Sequence, residues 1–565
     1  MAEPRSSFNM KPDVDAVENV VKDPYHESHD ASGTVNLYQD GTVVLIPTPS
    51  PDPKGMSLNN RPPVHLTNWV VIIRPFELAN LAQVHDHPHR GILLRYLSPW
   101  YIRSWCCNPE LHQIYHNDDP KRITDLLTYP TLFMGIGNLF SMPLANAVGR
   151  RPIFLFSVLL LTVSGIWCAC SNSLSSHIAG RNIFSLAAGQ SEALAPLIVQ
   201  EVHFLHQHGV KLSYFVGVQN TLTAALFTAT TYIVPTIGLP WWYGIMTIIN
   251  GCTMIMSFFF LAETRFDRPE DASEGAVHLR LDKNGDVARE GTNEVLFQVT
   301  TRQGVVLQPE KFGERTFRDD IRLFHGKFDW PSALHFYQDV GKSLILPPIL
   351  WIFILNGAFL GLYIYQASTF AQILVMPPYG FSPELLGWVQ LVQIVDCLIA
   401  VPILGYGSDL ICKFMSRRNG GVFEPEYRLL TLIIPAAAAI ISAIFYGRAA
   451  ANPNDYHWIA IVACYHLGFF AFLGANLVGI TFVMDSYPSK SGPLLLVVCA
   501  GRGFVSFGLS YATVPSIESL GYDGAMNILA IICGVLSGFG IVVYFIGKRV
   551  REWARRTIWP KAHEE

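Results

Sequence analysis

Four ionisable side chains, Arg181, Glu192, Asp396 and Arg502, interrupt stretches that are otherwise apolar, and Gln393 lies one turn before Asp396. A charged group at the centre of hydrocarbon costs about 2.5–3.5 kcal/mol on insertion scales, so each needs a partner or water. A carboxylate so placed exchanges protons or holds a cation, and a guanidinium so placed holds an anion or a carboxylate. Glu192 lies in Ala187-Ala-Gly-Gln-Ser-Glu-Ala-Leu-Ala-Pro196, with Arg181 eleven residues earlier. Eleven residues of helix return to within about 20° and rise roughly 16 Å, so both side chains face one side, the bundle interior. Asn356, Tyr363, Tyr365 and Gln366 bring polar and aromatic groups to the same interior. A cation between carboxylates and aromatic faces gains Coulomb and cation–π attraction together. The plainer alternative is that these charges only pair with one another, within or between helices.

The elements that must hold these groups are eleven apolar runs: Leu126–Ala147, Ile153–Cys170, Ile178–Val199, Leu212–Thr236, Trp241–Ala262, Leu344–Ala367, Leu386–Leu410, Leu429–Tyr446, Trp458–Met484, Gly492–Val514 and Ala525–Ile546. A hydrocarbon core of about 30 Å takes roughly 20 helical residues to cross. The chain therefore reads as an all-α polytopic membrane protein. Of its 565 residues 50% are hydrophobic and only 15% charged, and the mean hydropathy is +0.29. Most of its ten cysteines lie inside the runs (Cys168, Cys252, Cys397, Cys464, Cys499 and Cys533 among them), where they read as small buried hydrophobes. Trp241, Trp242 and Trp458 sit at run ends, the usual place of interfacial anchors.

Lysine and arginine concentrate in alternate joints. They are Arg150 and Arg151; Lys413, Arg417, Arg418 and Arg428; Lys490; and Lys548 to Arg556 after the last run. The intervening joints hold one basic residue, Arg448. By the positive-inside rule the basic joints and the C-terminus face the cytoplasm. Eleven spans would then leave the N-terminal tail outside, unless a further span precedes Leu126. Leu66–Val84 and Gly91–Cys107 supply it badly, because both carry arginine and proline. The stretch reads as a degraded or mistranslated first helix. Its His85-Asp-His-Pro-His89 does not read as a metal site, since Pro88 breaks any helical frame. The expected organisation is a tail over 1–65, with a hairpin signal at Asp40-Gly41 inside Thr34–Pro47, then the degenerate first-helix region 66–122. An N-terminal bundle 123–262, a cytoplasmic loop 263–343, a C-terminal bundle 344–547 and a basic tail 548–565 follow. Restoring the first helix gives two six-helix halves, a parallel-repeat transporter architecture.

The joint Pro143-Leu-Ala-Asn-Ala-Val-Gly-Arg-Arg-Pro152 resembles a signature loop of the major facilitator superfamily, with Asn146 in place of its acidic residue and Met142 for its first glycine. Ala262-Glu-Thr-Arg265 resembles the motif closing the sixth helix of that family. Gly405-Tyr-Gly-Ser-Asp409, Arg417-Arg418-Asn419 and Phe423-Glu-Pro-Glu-Tyr-Arg428 resemble the equivalent loop of its second half. Asp485-Ser-Tyr-Pro-Ser-Lys-Ser-Gly-Pro493 resembles the joint between helices ten and eleven. The chain is thereby similar to a fungal twelve-span drug:proton antiporter or polyamine–organic cation transporter. The Gly-Pro-rich stretch usual in helix five of the antiporters is absent from Ala224–Pro235. The resemblance implies a secondary transporter, proton-coupled, for a small organic cation, polyamine or drug-like molecule. It also implies a role for Arg181 in coupling, although the glycine usual four residues later is Ser185. Glu192, Asp396, Gln393, Arg502, Asn356 and Tyr363 complete the expected pathway.

Gly149 permits a tight turn, and Arg150 and Arg151 are expected to pair with an acidic group or helix end of the neighbouring bundle. With Asn146, Asp409, Arg417 and Arg418 they form the expected conformational latch, the alternative being that they only set topology. There is no Gly-x-x-x-x-Gly-Lys loop, no Cys/His set at zinc spacing and no nucleophile elbow. The expectation is accordingly no enzyme, no cofactor, no metal and no nucleic-acid partner. A monomer in the bilayer is expected, at the plasma membrane rather than the vacuole, with solute and protons as its partners. A receptor-like or defective paralogue, or a uniporter of another small solute, is the alternative that the damaged first helix and Asn146 suggest.

Overall fold

The computed structural model describes residues 120–203, 205–261, 263–264, 322–324 and 328–560, with short pieces at 278–280, 296–298 and parts of 32–43. Each of the eleven apolar runs is mainly helical over its described residues. The first five are α1 (Pro120–Val148), α2 (Arg150–Ala169), α3 (Leu174–Val202), α4 (His208–Ile237) and α5 (Leu239–Phe260). After α6 (Trp330–Ser343) come α7 (Pro347–Val375), α8 (Pro383–Leu391), α9 (Gln393–Ala400), α10 (Gly407–Arg418), α11 (Ile433–Ala451), α12 (Trp458–Ser486) and α13 (Ser491–Thr557). Among the described residues eight helices are long and apolar enough to cross a bilayer, and the last of them holds two runs, parted at Gly521 (φ 69°). The candidate first-helix windows and the His85–His89 cluster lie outside the described residues.

The outward faces carry Phe156, Ile248, Leu398, Ile531 and Phe545, all exposed, whereas Asn138, Ser185, Asn356 and Gln366 are fully buried. This inverts the pattern of a water-soluble protein and suits a hydrocarbon solvent, where apolar faces need no cover and polar groups must find partners inside. Trp242 departs from its expected anchoring role: it is 3% exposed and packs edge-on against Tyr243, inside the bundle.

Helices α1–α5 form one half and α7–α13 the other. They meet where α1 crosses α13, and where α4 lies along the column made by α8, α9, a π-helical turn at Val401–Tyr406 and α10. Pro402 sits in that widened turn, lacking the N–H that a regular α-turn would use. Within the first half α1 and α3 touch backbone to backbone. A Cβ on Gly189 would lie 2.1 Å from the Met134 carbonyl oxygen, and one on Gly137 would lie 2.0 Å from that of Leu186. This approach brings the Glu192 side of α3 against its neighbour.

Two small features complete the frame. Of the short strands β1 (Val35–Asn36), β2 (Tyr38–Gln39), β3 (Thr42–Val43), β4 (His278–Arg280), β5 (Leu296–Gln298) and β6 (Val422–Phe423), β2 and β3 pair antiparallel on either side of the Asp-Gly dipeptide that signalled a hairpin. The stretch 263–343 is more than a loop, because it contains α6, capped by Asp329, which accepts from the Ser332 amide at 3.2 Å. Phe336 faces inward from α6 while Leu334 is exposed.

Candidate functional site

Glu192 of α3 and Arg502 of α13 form an ion pair between the two halves, each side chain 7% exposed. A second nitrogen of the guanidinium donates to Asn476 Oδ1 of α12 at 2.6 Å, while the buried Asn138 amide of α1 donates within its own helix, to the Met134 carbonyl at 3.4 Å. Two groups too costly to bury alone are thus buried against each other, with a polar neighbour to share the charge. Arg181 does not join them. It is 5% exposed, with Nη1 3.4 Å from the Tyr243 hydroxyl, which also lies 2.9 Å from His177 Nε2. Its Nε and Nη2 have no partner among the described residues.

The second half holds its own polar cluster. Gln393 Nε2 lies 2.7 Å from both the Tyr465 hydroxyl and Gln390 Oε1, and 3.1 Å from the Tyr363 hydroxyl. The Tyr363 ring stacks on Phe472 and Tyr465 at 5.8 Å between centroids, a wall of aromatic faces. On the next turn of α9, Asp396 Oδ2 lies 2.6 Å from His466 Nδ1 of α12, and His466 Nε2 has no partner among the described residues. Asn356 is fully buried on α7 and its amide has no partner among the described residues. A Cβ on Gly479 would lie 2.5 Å from its Nδ2.

A second network closes the end of the bundle that carries the basic joints. Arg428, 1% exposed, donates to Asp485 Oδ2 through Nε and to Asp409 Oδ1 through Nη1 at 3.0 Å. Both carboxylates also reach the first half: Asp409 Oδ2 accepts from the Val210 amide in the first turn of α4 at 2.9 Å, and Asp485 Oδ1 lies 2.9 Å from His208 Nδ1. Gln200 of α3 adds a bond to the Met484 carbonyl at 3.3 Å. Beside this network a cavity of about 420 Å³ opens between the halves and α6, with Asn146, Arg150, His208, Asp339 and Asp485 among its walls.

The expected latch is therefore corrected in part. Arg150 pairs with Glu201 of α3, in its own half rather than the neighbouring one. Arg151 donates to the carbonyls of Phe258, near the end of α5, and Arg322, both at 2.6 Å. The α2 amides of Arg150 and Arg151 are capped by the Glu263 carboxylate, an anion at a helix N-terminus, across the turn at Gly149 (φ 124°). Asn146 donates to Ser332 Oγ of α6 at 2.7 Å. Arg417 and Arg418 are exposed, and Arg418 lies over the Phe414 ring; Arg428 is the guanidinium that meets Asp409. His466 meets the same rule as Asp396, an ionisable group inside an apolar run, and its pairing places it with the candidate site residues. Arg428 stands out in the sequence as a basic joint residue and within a motif, and Asp485 within a motif; their pairing with each other and with His208 appears only in the fold.

The Major Facilitator Superfamily model matches residues 109–493. An uncharacterised MFS-type transporter of Schizosaccharomyces pombe is 22% identical over 552 residues, which cover 92% of this chain and 90% of that protein. Protein HOL1 of Saccharomyces cerevisiae is 22% identical, with 75% and 80% of the two chains covered. Among solved structures, the proton:xylose symporter XylE superposes with a TM-score of 0.52 at 13% identity, over 88% of this chain and 99% of the other. The human organic anion transporter MFSD10 gives 0.51 at 14% identity, over 85% and 100%. At such identity the two structures support the fold alone.

Proposed function

The chain belongs to the major facilitator superfamily and is a multi-pass membrane transporter; from that premise we propose that it is a proton-coupled secondary carrier of a small organic cation, polyamine or drug-like molecule. The observation that carries this reading is the Glu192–Arg502 pair, a buried charge joining the two halves inside the membrane part. A carrier that alternates access has to separate its halves around a central site, and a charge pair held across that seam answers to protonation and to a cationic solute alike. In this reading Glu192 and Asp396 hold the exchangeable charge. Arg181, Arg502, Gln393, Asn356 and Tyr363 line the path, the last with an aromatic face for a cation. Asn146, Gly149, Arg150, Arg151 and Asp409, with Arg428, belong to the gate.

The test is uptake into proteoliposomes of labelled spermidine and of tetraphenylphosphonium, under an imposed proton gradient. Saturable uptake of one of them, cut at least about tenfold by a protonophore, is expected. Saturable uptake indifferent to the gradient would make the protein a uniporter, and no uptake of either cation would remove the substrate class.

In this reading the gate end, rich in basic joints, faces the cytoplasm together with the C-terminus, and the carrier is a monomer of the plasma membrane. Tags in 263–343 and after Glu565 are expected to resist external protease in intact cells. Cleavage of either from outside would reverse the assignment.

A further inference from the structure

Part of the N-terminal tail reaches the basic end of the bundle and is gripped there from three directions. Val35 and Asn36 (β1) pair antiparallel with Phe423 and Val422 (β6), the two-residue strand between α10 and α11. Arg551 of α13 donates through Nη1 to the Ser32 carbonyl and to Thr34 Oγ1, the latter at 2.9 Å. The same guanidinium holds Glu426 through Nε at 3.0 Å and Nη2 at 2.6 Å, and its side chain is 2% exposed. Alternate residues of a strand point to opposite faces, so Thr34 turns to Arg551 while Val35 turns into the bundle.

Where Val35 goes decides what the contact does. It is 3% exposed and packs in a cluster with Cys412, Phe423 and Tyr427 of the second half and with Leu205, which lies in the joint between α3 and α4 of the first. The Leu205 carbonyl in turn accepts from Arg428 Nη2 at 3.4 Å, and Val35 lines the cavity between the halves. A tail segment that merely coated one half would touch neither Leu205 nor that cavity. Covering β6 also removes an open strand edge that would otherwise invite a foreign partner.

We infer that Ser32 and residues 34–36 act as a strap that locks the basic end shut: anchored on the second half by β6 and Arg551, it reaches the first half through Val35 and must undock before that end opens. Anchor and bridge follow from the contacts alone; that undocking belongs to a transport cycle rests on the function proposed above. The bound strand is then a ligand that selects one of two states, and losing it shifts the population by its differential affinity for them.

The full-length chain tests this with two readouts that need no transport. Buried Cys412 reports docking through its modification by N-ethylmaleimide, located by peptide mass spectrometry. A cysteine pair at Gln200 and Met484, which touch across the halves, reports closure through its cross-linking rate. Val35→Asp is expected to raise Cys412 modification about tenfold and to slow the 200–484 cross-link several-fold, since a charge is not tolerated in an apolar cluster. Adding the octapeptide of residues 32–39 in excess is expected to reverse both changes, and Thr34→Ala to give the same changes more weakly. Unchanged Cys412 modification in Val35→Asp would show that the strap does not dock. Raised modification with an unchanged cross-link would show a docked tail that locks nothing. Either result overturns the inference. Failure of cation uptake in the unaltered protein would instead count against the proposed substrate and coupling, and leaves both readouts intact.

Discussion

Glu192→Gln is expected to lower proton-linked cation uptake at least about a hundredfold, equivalent to some 2.7 kcal/mol, with no matching loss of folded protein. The amide keeps an oxygen to accept from Arg502 but cannot take up or release a proton, and it removes the negative charge from the seam between the halves. Arg502 loses its counter-ion, and breaking a buried pair costs about 3–5 kcal/mol, offset here by the amide oxygen that replaces the carboxylate and by Asn476, which remains bonded to the guanidinium. Folded yield is therefore expected to fall by less than about threefold. The double variant Glu192→Gln with Arg502→Met separates structure from coupling. It leaves no unpaired charge, so its yield should return to that of the unaltered protein while uptake stays absent. Uptake with unchanged pH dependence in the single variant would reduce Glu192 to a structural role. Uptake restored in the double variant would show that only the unpaired arginine did the damage.

The helices were the legible part, because the bilayer imposes one length on every spanning segment and the eleven runs meet it. The candidate site was legible by type but not by partnership. Burying a charge in hydrocarbon is costly wherever it occurs, so Arg181, Glu192, Asp396 and Arg502 stand out from their neighbours in the chain. Helical period assigns each a face, yet it cannot say which helix lies opposite. Arg181 and Glu192 were rightly given buried faces, but the partner of Glu192 is 310 residues away in the other half. His466 escaped because a single imidazole in an apolar run is usually a satisfied core residue, and only packing reveals Asp396 at its Nδ1. Near-neighbour charge misled at the gate: Arg417 and Arg418 follow Asp409 closely along the chain but sit on the exposed end of α10, while Arg428 turns back into the bundle. The amphipathic α6 was hidden by the charged stretch around it. Its role becomes visible only where Ser332 meets Asn146, and where Asp339 meets both Lys490 and the Trp559 indole.

Arg428→Met is expected to open the basic end and to cost at least about tenfold in uptake. Among the described residues Arg428 is the one cation that bridges Asp409 and Asp485, and each of those carboxylates is what the first half grasps, through the Val210 amide and through His208. Removing the guanidinium leaves two buried carboxylates facing each other, and such a site relieves itself by taking a proton or by admitting water. Both outcomes weaken the grip across the halves. A loss of about 3 kcal/mol would move a closed state favoured about 100 to 1 to near parity with the open one. Methionine keeps the length and apolar bulk of the stem, so the core around Phe423 and Tyr427 is retained. The measurement is reaction of a cysteine placed at Met142, a buried residue lining the cavity between the halves, with a maleimide added from the basic side. Its rate is expected to rise about thirtyfold or more in Arg428→Met. Combining Arg428→Met with Asp409→Asn and Asp485→Asn removes the repulsion without restoring the bridge. If the bridge is what closes the gate, the triple variant stays reactive. If the triple variant is as unreactive as the parent, the open state came from carboxylate repulsion alone, and the guanidinium only neutralises its neighbours.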